Sequence, residues 1–170
     1  RQDLRLVPAV PYKDPNNYVR YSEQLAKDLS KENSNGVIWA NQFDNTANLE
    51  GHYNSTGPEI WQQTKGNIDG FICSVGSGGT IAGISKFLKE QKSDVTIGLS
   101  DPLGSALYNF YQNGELKAEG NSISEGIGQG RITESDIKLF VASKPYKSFK
   151  DQNTTEQKIE QEYTHSEFGE

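Results

Sequence analysis

Methionine is absent from the 170 residues, cysteine occurs once, and histidine and tryptophan twice each. With Cys73 alone, an internal disulfide framework and any cysteine-built metal cluster are excluded, which fits a reducing compartment. His52 and His165 lie far apart with no carboxylate or cysteine at ligand spacing, so no metal site is expected. No apolar run approaches the roughly 20 residues that a membrane-spanning helix needs, and the N-terminus lacks the charged-then-apolar order of a secretory signal. Without such a signal, the sequons at Asn54 and Asn153 are expected to stay unmodified. An intracellular protein is expected, with cytoplasm and mitochondrion both open. Because methionine is missing even at position 1, the sequence is expected to be a processed chain or a stretch of a longer one.

Positive charge is also scarce, with 17 Lys and Arg against 23 Asp and Glu and a net charge of -6. A basic face for nucleic acid or an anionic membrane is therefore not expected. Half of the negative excess sits in the tail from Pro145 to Glu170, where three lysines face six acids. The mean hydropathy of -0.74 is polar for a globular domain, and this tail reads as its unpacked part.

What is present alternates between two periods. Leu4–Val10 reads as a strand, and Asp14-Pro15 as the opening of a helix whose buried face carries Tyr18, Tyr21, Leu25 and Leu29. Gly36–Ala40 reads as a short buried strand and Gln42–Ser55 as a polar loop. Thr56-Gly57-Pro58-Glu59 has the spacing of a capping box and predicts a helix that Gly66 stops. A strand over Ile68–Val75, a helix over Thr80–Glu90 and a strand over Val95–Leu99 follow, then a short helix over Ala106–Tyr111. After Val141 no period survives, although a short helix around Thr155–Tyr163 is compatible with the pattern. Strands alternating with helices of this length predict an α/β architecture with a mostly parallel sheet.

Between the third strand and the next helix lies Ser74-Val75-Gly76-Ser77-Gly78-Gly79-Thr80. In strand–loop–helix order, such a loop puts the first free helical amides at the carboxyl edge of the sheet, where an anion can be held by main-chain N–H groups. Glycines allow close approach and positive φ, and Ser77 and Thr80 add hydroxyl donors. A nucleotide P-loop is excluded because its lysine is missing; the first lysine of the helix is Lys86. A dinucleotide fingerprint fits at Gly76 and Gly78 but meets Ile81 at its sixth position. Asp101 after the next strand keeps a nicotinamide-dinucleotide domain as an alternative. Cys73, in mid-strand, reads as an inert buried thiol, and Asp101 and Glu125 as structural acids rather than an acid–base pair.

Gly76-Ser77-Gly78-Gly79-Thr80 after an apolar strand resembles the phosphate loop of pyridoxal-phosphate enzymes of the cysteine synthase (O-acetylserine sulfhydrylase) and cystathionine β-synthase family. Gln42-Phe43-Asp44-Asn45-Thr46-Ala47-Asn48 resembles the family's Gln-Phe-x-Asn-x-x-Asn segment, and Thr56–Trp61 resembles its Thr-Gly-Pro-Glu-Ile-Trp. Asp101-Pro102, Gly104-Ser105 and Glu125-Gly126-Ile127-Gly128 extend the likeness, which runs colinearly from about Leu4 to Thr133. The resemblance implies an incomplete three-layer α/β fold of the tryptophan synthase β-subunit-like class, fold type II. It further implies a partial small domain over 1–41, a partial large cofactor-binding domain over 42–144 and a polar, disordered tail over 145–170.

The same resemblance implies that Gly76, Ser77, Gly78, Gly79 and Thr80 hold the phosphate of pyridoxal 5'-phosphate. Gly126 and Gly128 would line the cofactor through their backbone, and Gln42 would bind the substrate carboxylate. The implied reaction is β-replacement, in which an activated serine loses its β-leaving group and sulfide gives cysteine; a homodimer is implied as well. The family's Pro-x-x-Ser-x-Lys segment, with the lysine that holds the cofactor covalently, is not found. Neither are the downstream Ser-Gly segment facing the ring nitrogen and the asparagine loop that closes on substrate. The expectation is a fragment without turnover on its own, the alternative being a non-catalytic relative that acts as a binding protein or has no function.

Overall fold

The computed structural model describes residues 3–118, 127–134, 146–150 and 159–161. They form two compact units divided between Asn41 and Gln42. No helix among the described residues is long and apolar enough to cross a membrane.

The first unit is built on α1, Tyr18–Glu32. Asn17 caps it, accepting from Val19 N–H at 3.1 Å while its Nδ2 donates to the Val10 carbonyl at 2.8 Å. Asp14, the expected cap, instead accepts from the Asn16 amide and closes the turn ahead of the helix. A carboxamide can accept and donate at once, so Asn17 can fix both the helix start and the incoming chain, which a carboxylate cannot. The expected strands at Leu4–Val10 and Gly36–Ala40 are absent: neither segment enters a ladder, and Leu4, Leu6 and Ile38 stay exposed. Alternation supplies a face but not a neighbour, and without a neighbour the backbone has nothing to pair with. Trp39 Nε1 donates to Ser22 Oγ at 3.1 Å, which ties the segment after α1 back onto the helix.

The second unit carries α2 (Ala47–Asn54), α3 (Thr56–Gln63), β1 (Gly70–Ser74), α4 (Gly79–Gln91), β2 (Thr96–Asp101), α5 (Leu107–Asn113), β3 (Tyr146–Lys150) and β4 (Ile159–Gln161). The sheet order is β1-β2-β3-β4, with the first three strands parallel and β4 antiparallel. This is the α/β architecture with a parallel sheet that the alternating periods predict. Strands β3 and β4 stand where the sequence reads as an unpacked tail; β3 draws on pairing with β2 and β4 on pairing with β3, which no local pattern reveals.

Ile81, Ala82, Ile84 and Leu88 of α4 bury against Val95, Ile97, Leu99, Leu107 and Tyr111. Burial of each large aliphatic chain contributes about 1.5–3 kcal/mol. Strand β2 is covered on both faces at Ile97, Gly98 and Leu99, whereas β1 alternates and leaves Ile72 exposed. Helix α2 is a departure from the expected polar loop over 42–55. It packs one residue, Leu49, into the core, and a glycine on α4 permits the approach. The expected capping box is also not formed: α2 runs almost directly into α3, Ser55 makes no side-chain cap, and the Thr56 hydroxyl pairs with His52 Nδ1 at 2.9 Å.

Candidate functional site

The glycine loop joins the carboxyl end of β1 to α4, as the strand–loop–helix order requires. Gly78 stands at the N-cap of α4 with φ of +80°, a left-handed conformation that glycine tolerates without a Cβ penalty. The carbonyls of the loop are all engaged. Val75 O accepts from Gly128 N–H at 2.7 Å, Gly76 O from the side-chain amide of Gln129, Ser77 O from Thr133 Oγ1 at 3.0 Å, and Gly78 O from Ala82 N–H at 3.0 Å. The amides of Gly76 to Thr80 have no such partner among the described residues, and no side chain caps the helix. A loop with its acceptors satisfied and its donors unspent is suited to an anion, and the α4 dipole adds to the attraction.

A strap over Gly128–Thr133 therefore holds the loop from behind. Gly128 has φ of +85°, and a Cβ there would sit 2.9 Å from Pro102 Cγ and 3.1 Å from Ser105 Cβ. Ser105 and Gln129 bond each other: Gln129 N–H donates to Ser105 Oγ at 3.0 Å and Ser105 Oγ donates to Gln129 O at 3.1 Å, while Ala106 N–H also donates to Gln129 O at 2.7 Å. Arg131 makes paired hydrogen bonds to Asp44 at 3.0 Å each, and its guanidinium stands 5.7 Å from the Phe43 ring centroid. The segment starting at Gln42 is thus pinned to the strap at Asp44, and Asn48 Nδ2 reaches Ser77 Oγ at 2.8 Å. Gln42 itself is exposed in the turn before α2. Thr80 Oγ1 meets His52 Nε2 at 3.0 Å, so His52 links the loop to Thr56.

A model of the pyridoxal-phosphate dependent enzymes matches residues 4–153. The chain belongs to this family. It is 48% identical to Cysteine synthase 1 of Emericella nidulans over 76% of its own length and 34% of that protein's. Against Cysteine synthase 2 of Schizosaccharomyces pombe the identity is 41%, over 77% of this chain and 36% of the other. The crystal structure of an O-acetylserine dependent cystathionine beta-synthase from Helicobacter pylori superposes with a TM-score of 0.58 and 26% identity, covering 76% of this chain and 39% of that one. The chain thus spans about a third of the length of the curated relatives it matches. Its fold is that of the fold type II class, partly covered, and the cofactor of this family is pyridoxal phosphate. Family membership sets the dinucleotide reading aside.

The described residues fit a phosphate group: unspent amides, a left-handed glycine and the Ser77 and Thr80 hydroxyls converge at one helix end. Of the expected site residues, Gly76 to Thr80 and Gly128 are brought together, Gln42 lies on the segment pinned to them, and Gly126 lies outside the described residues. Glu125 lies outside them too. Sequence reasoning missed Asn48, Gln129, Arg131 and Thr133. The signal available for them was their position inside the two quoted segments beginning at Gln42 and Glu125 and just after.

Asp101 closes β2, the strand paired with β1, and is 1% exposed, with Oδ2 accepting from Tyr108 N–H at 2.7 Å and Oδ1 without a partner among the described residues. Burial pushes its carboxyl above the ordinary 3.8, opposed by the neighbouring Ser105 hydroxyl and by the Tyr108 amide. An acid raised in this way contributes stability that is fully present below its unfolded value and is lost as pH rises through the folded one. Asp101→Asn keeps an acceptor for Tyr108, so the variant is expected to lose less stability than wild type as the pH rises from the ordinary carboxylate value upward. Urea denaturation across that range measures it; parallel curves would mean that Asp101 is not the titrating group. Cys73 is half-buried and its thiol is pushed up to about 11 by burial, which leaves it neutral and inert.

Proposed function

We propose that the loop Gly76–Thr80 holds the phosphate of pyridoxal phosphate in a cysteine synthase-type enzyme, which replaces the β-substituent of an activated serine by sulfide. The observation that carries this reading is the asymmetry of the loop, whose carbonyls accept from the strap and from α4 while its amides have no partner among the described residues. The bound cofactor supplies an electron sink for charge developing at the amino acid's α-carbon. The chain's own share of the work is to bind and orient. Ser77 and Thr80 hydroxyls supplement the amides, Gly126 and Gly128 offer a backbone wall, and Gln42 donates its side-chain amide to the substrate carboxylate.

In this reading the unit before Gln42 is part of the small domain and residues 42–144 are part of the cofactor-binding domain. The enzyme acts inside the cell, as a homodimer, on a small amino-acid substrate. Titration of the chain with pyridoxal phosphate, followed by borohydride reduction and mass spectrometry, tests the assignment. Saturable binding that inorganic phosphate competes away, without a stoichiometric adduct on one lysine, is the expected result. Binding that phosphate leaves untouched would overturn the loop assignment, and a single fully labelled lysine would place covalent chemistry in this chain.

A further inference from the structure

The roles proposed above leave Asn48 without a task, although it touches the loop at two places. Its Nδ2 donates to Ser77 Oγ at 2.8 Å. The same carboxamide lies over Gly79, where an added Cβ would fall on Nδ2, 2.6 Å from Cγ and 3.2 Å from Asn48 Cβ. Asn48 therefore fills the space that Gly79 leaves, on the first turn of α4.

The direction of the hydrogen bond has a chemical consequence. A carboxamide nitrogen only donates, so Ser77 Oγ is the acceptor and the one hydroxyl proton must go elsewhere. The carbonyls of Val75, Gly76, Ser77 and Gly78 each already accept one hydrogen bond, from Gly128, Gln129, Thr133 and Ala82, and no described residue accepts from Ser77 Oγ. An anion oxygen in front of amides that have no partner among the described residues would supply that acceptor. We infer that Asn48 is a positioning residue, which by donating to Ser77 Oγ commits the Ser77 hydroxyl to a phosphate oxygen. This inference rests on the proposed phosphate site.

The test compares dissociation constants for pyridoxal phosphate, and for inorganic phosphate, in wild type, N48A, N48D, S77A and the N48A/S77A double variant of the full chain. Aspartate has the shape of asparagine but accepts, so it would take the Ser77 proton and turn it away from the ligand. N48D and S77A are each expected to weaken binding roughly ten-fold or more. N48A is expected to weaken it less, since the hydroxyl is released and not redirected. In the S77A background N48A is expected to have no further effect, because the contribution of Asn48 passes through the hydroxyl.

Equal losses from N48A with and without the Ser77 hydroxyl would overturn the inference, as would N48D binding like wild type, which would make Asn48 a space-filler. If N48A does not fold, N48D carries the test, because it preserves the side chain's shape over Gly79. Should S77A and a Gly78→Val variant both bind as wild type does, the phosphate lies elsewhere and the proposed site falls together with the role of Asn48. Loss in Gly78→Val with no loss in S77A or N48D would keep the site and remove only Asn48's role.

Discussion

Replacing Gly83 with alanine is expected to lower the melting temperature by about 6–12 °C, the equivalent of about 3 kcal/mol. Gly83 is buried in α4 where α2 crosses it. A Cβ built there would overlap the Leu49 carbonyl oxygen and lie 2.8 Å from both His52 Cβ and Tyr53 N. Two of these three atoms are backbone, and backbone cannot rotate out of the way as a side chain can. Relief requires α2 to move as a body, which would draw Asn48 from Ser77 and His52 from Thr80. Cofactor affinity should therefore fall along with stability. Gly51, on α2 itself, is the control, since a Cβ there meets nothing within 4 Å. Gly51→Ala is expected to stabilise by up to about 1 kcal/mol, from helix propensity alone. Thermal melts followed by circular dichroism check both; a Gly83→Ala melt that overlays wild type would show that the two helices do not pack as closely as described.

The same helix pair shows what was and was not legible in the sequence. Helix α4 was legible because Ile81, Ile84 and Leu88 repeat on one face, and β1 and β2 because each is a short apolar run between turn residues. Helix α2 was not, because it buries Leu49 alone and meets α4 through backbone at Gly83, and neither feature produces a period. The first unit failed in the opposite direction: Leu4–Val10 and Gly36–Ala40 have strand-like composition, but pairing is a property of neighbours and not of composition. At the proposed site, the glycine loop between strand and helix could be read because its glycines and hydroxyls are local facts. The strap could not, since Gln129 and Thr133 reach Gly76 and Ser77 across more than fifty positions and look in sequence like ordinary polar residues. The family likeness located the segment containing Asn48 without saying what Asn48 touches.

The second large effect is expected at Gly78, where valine should weaken pyridoxal phosphate binding by roughly a hundred-fold or more. Gly78 is buried at the N-cap of α4 with φ of +80°. A β-branched residue in the left-handed region is strained by its own backbone, and the strain is relieved by rotating the peptide groups on either side. Those peptide groups carry the amides proposed to face the phosphate. The same strain exists at Gly36 in the other unit, with φ of +82° and nothing within 4 Å of an added Cβ, but no anion loop surrounds it. Gly36→Val is therefore expected to lose stability by about 1–2 kcal/mol with its affinity intact, whereas Gly78→Val loses both. Absorbance titration with pyridoxal phosphate beside urea denaturation separates the two quantities for each variant. If both variants lost affinity in proportion to stability, the Gly78 effect would be a consequence of unfolding and not of the cradle. A Gly78→Val protein that bound normally would remove the loop from the cofactor site altogether.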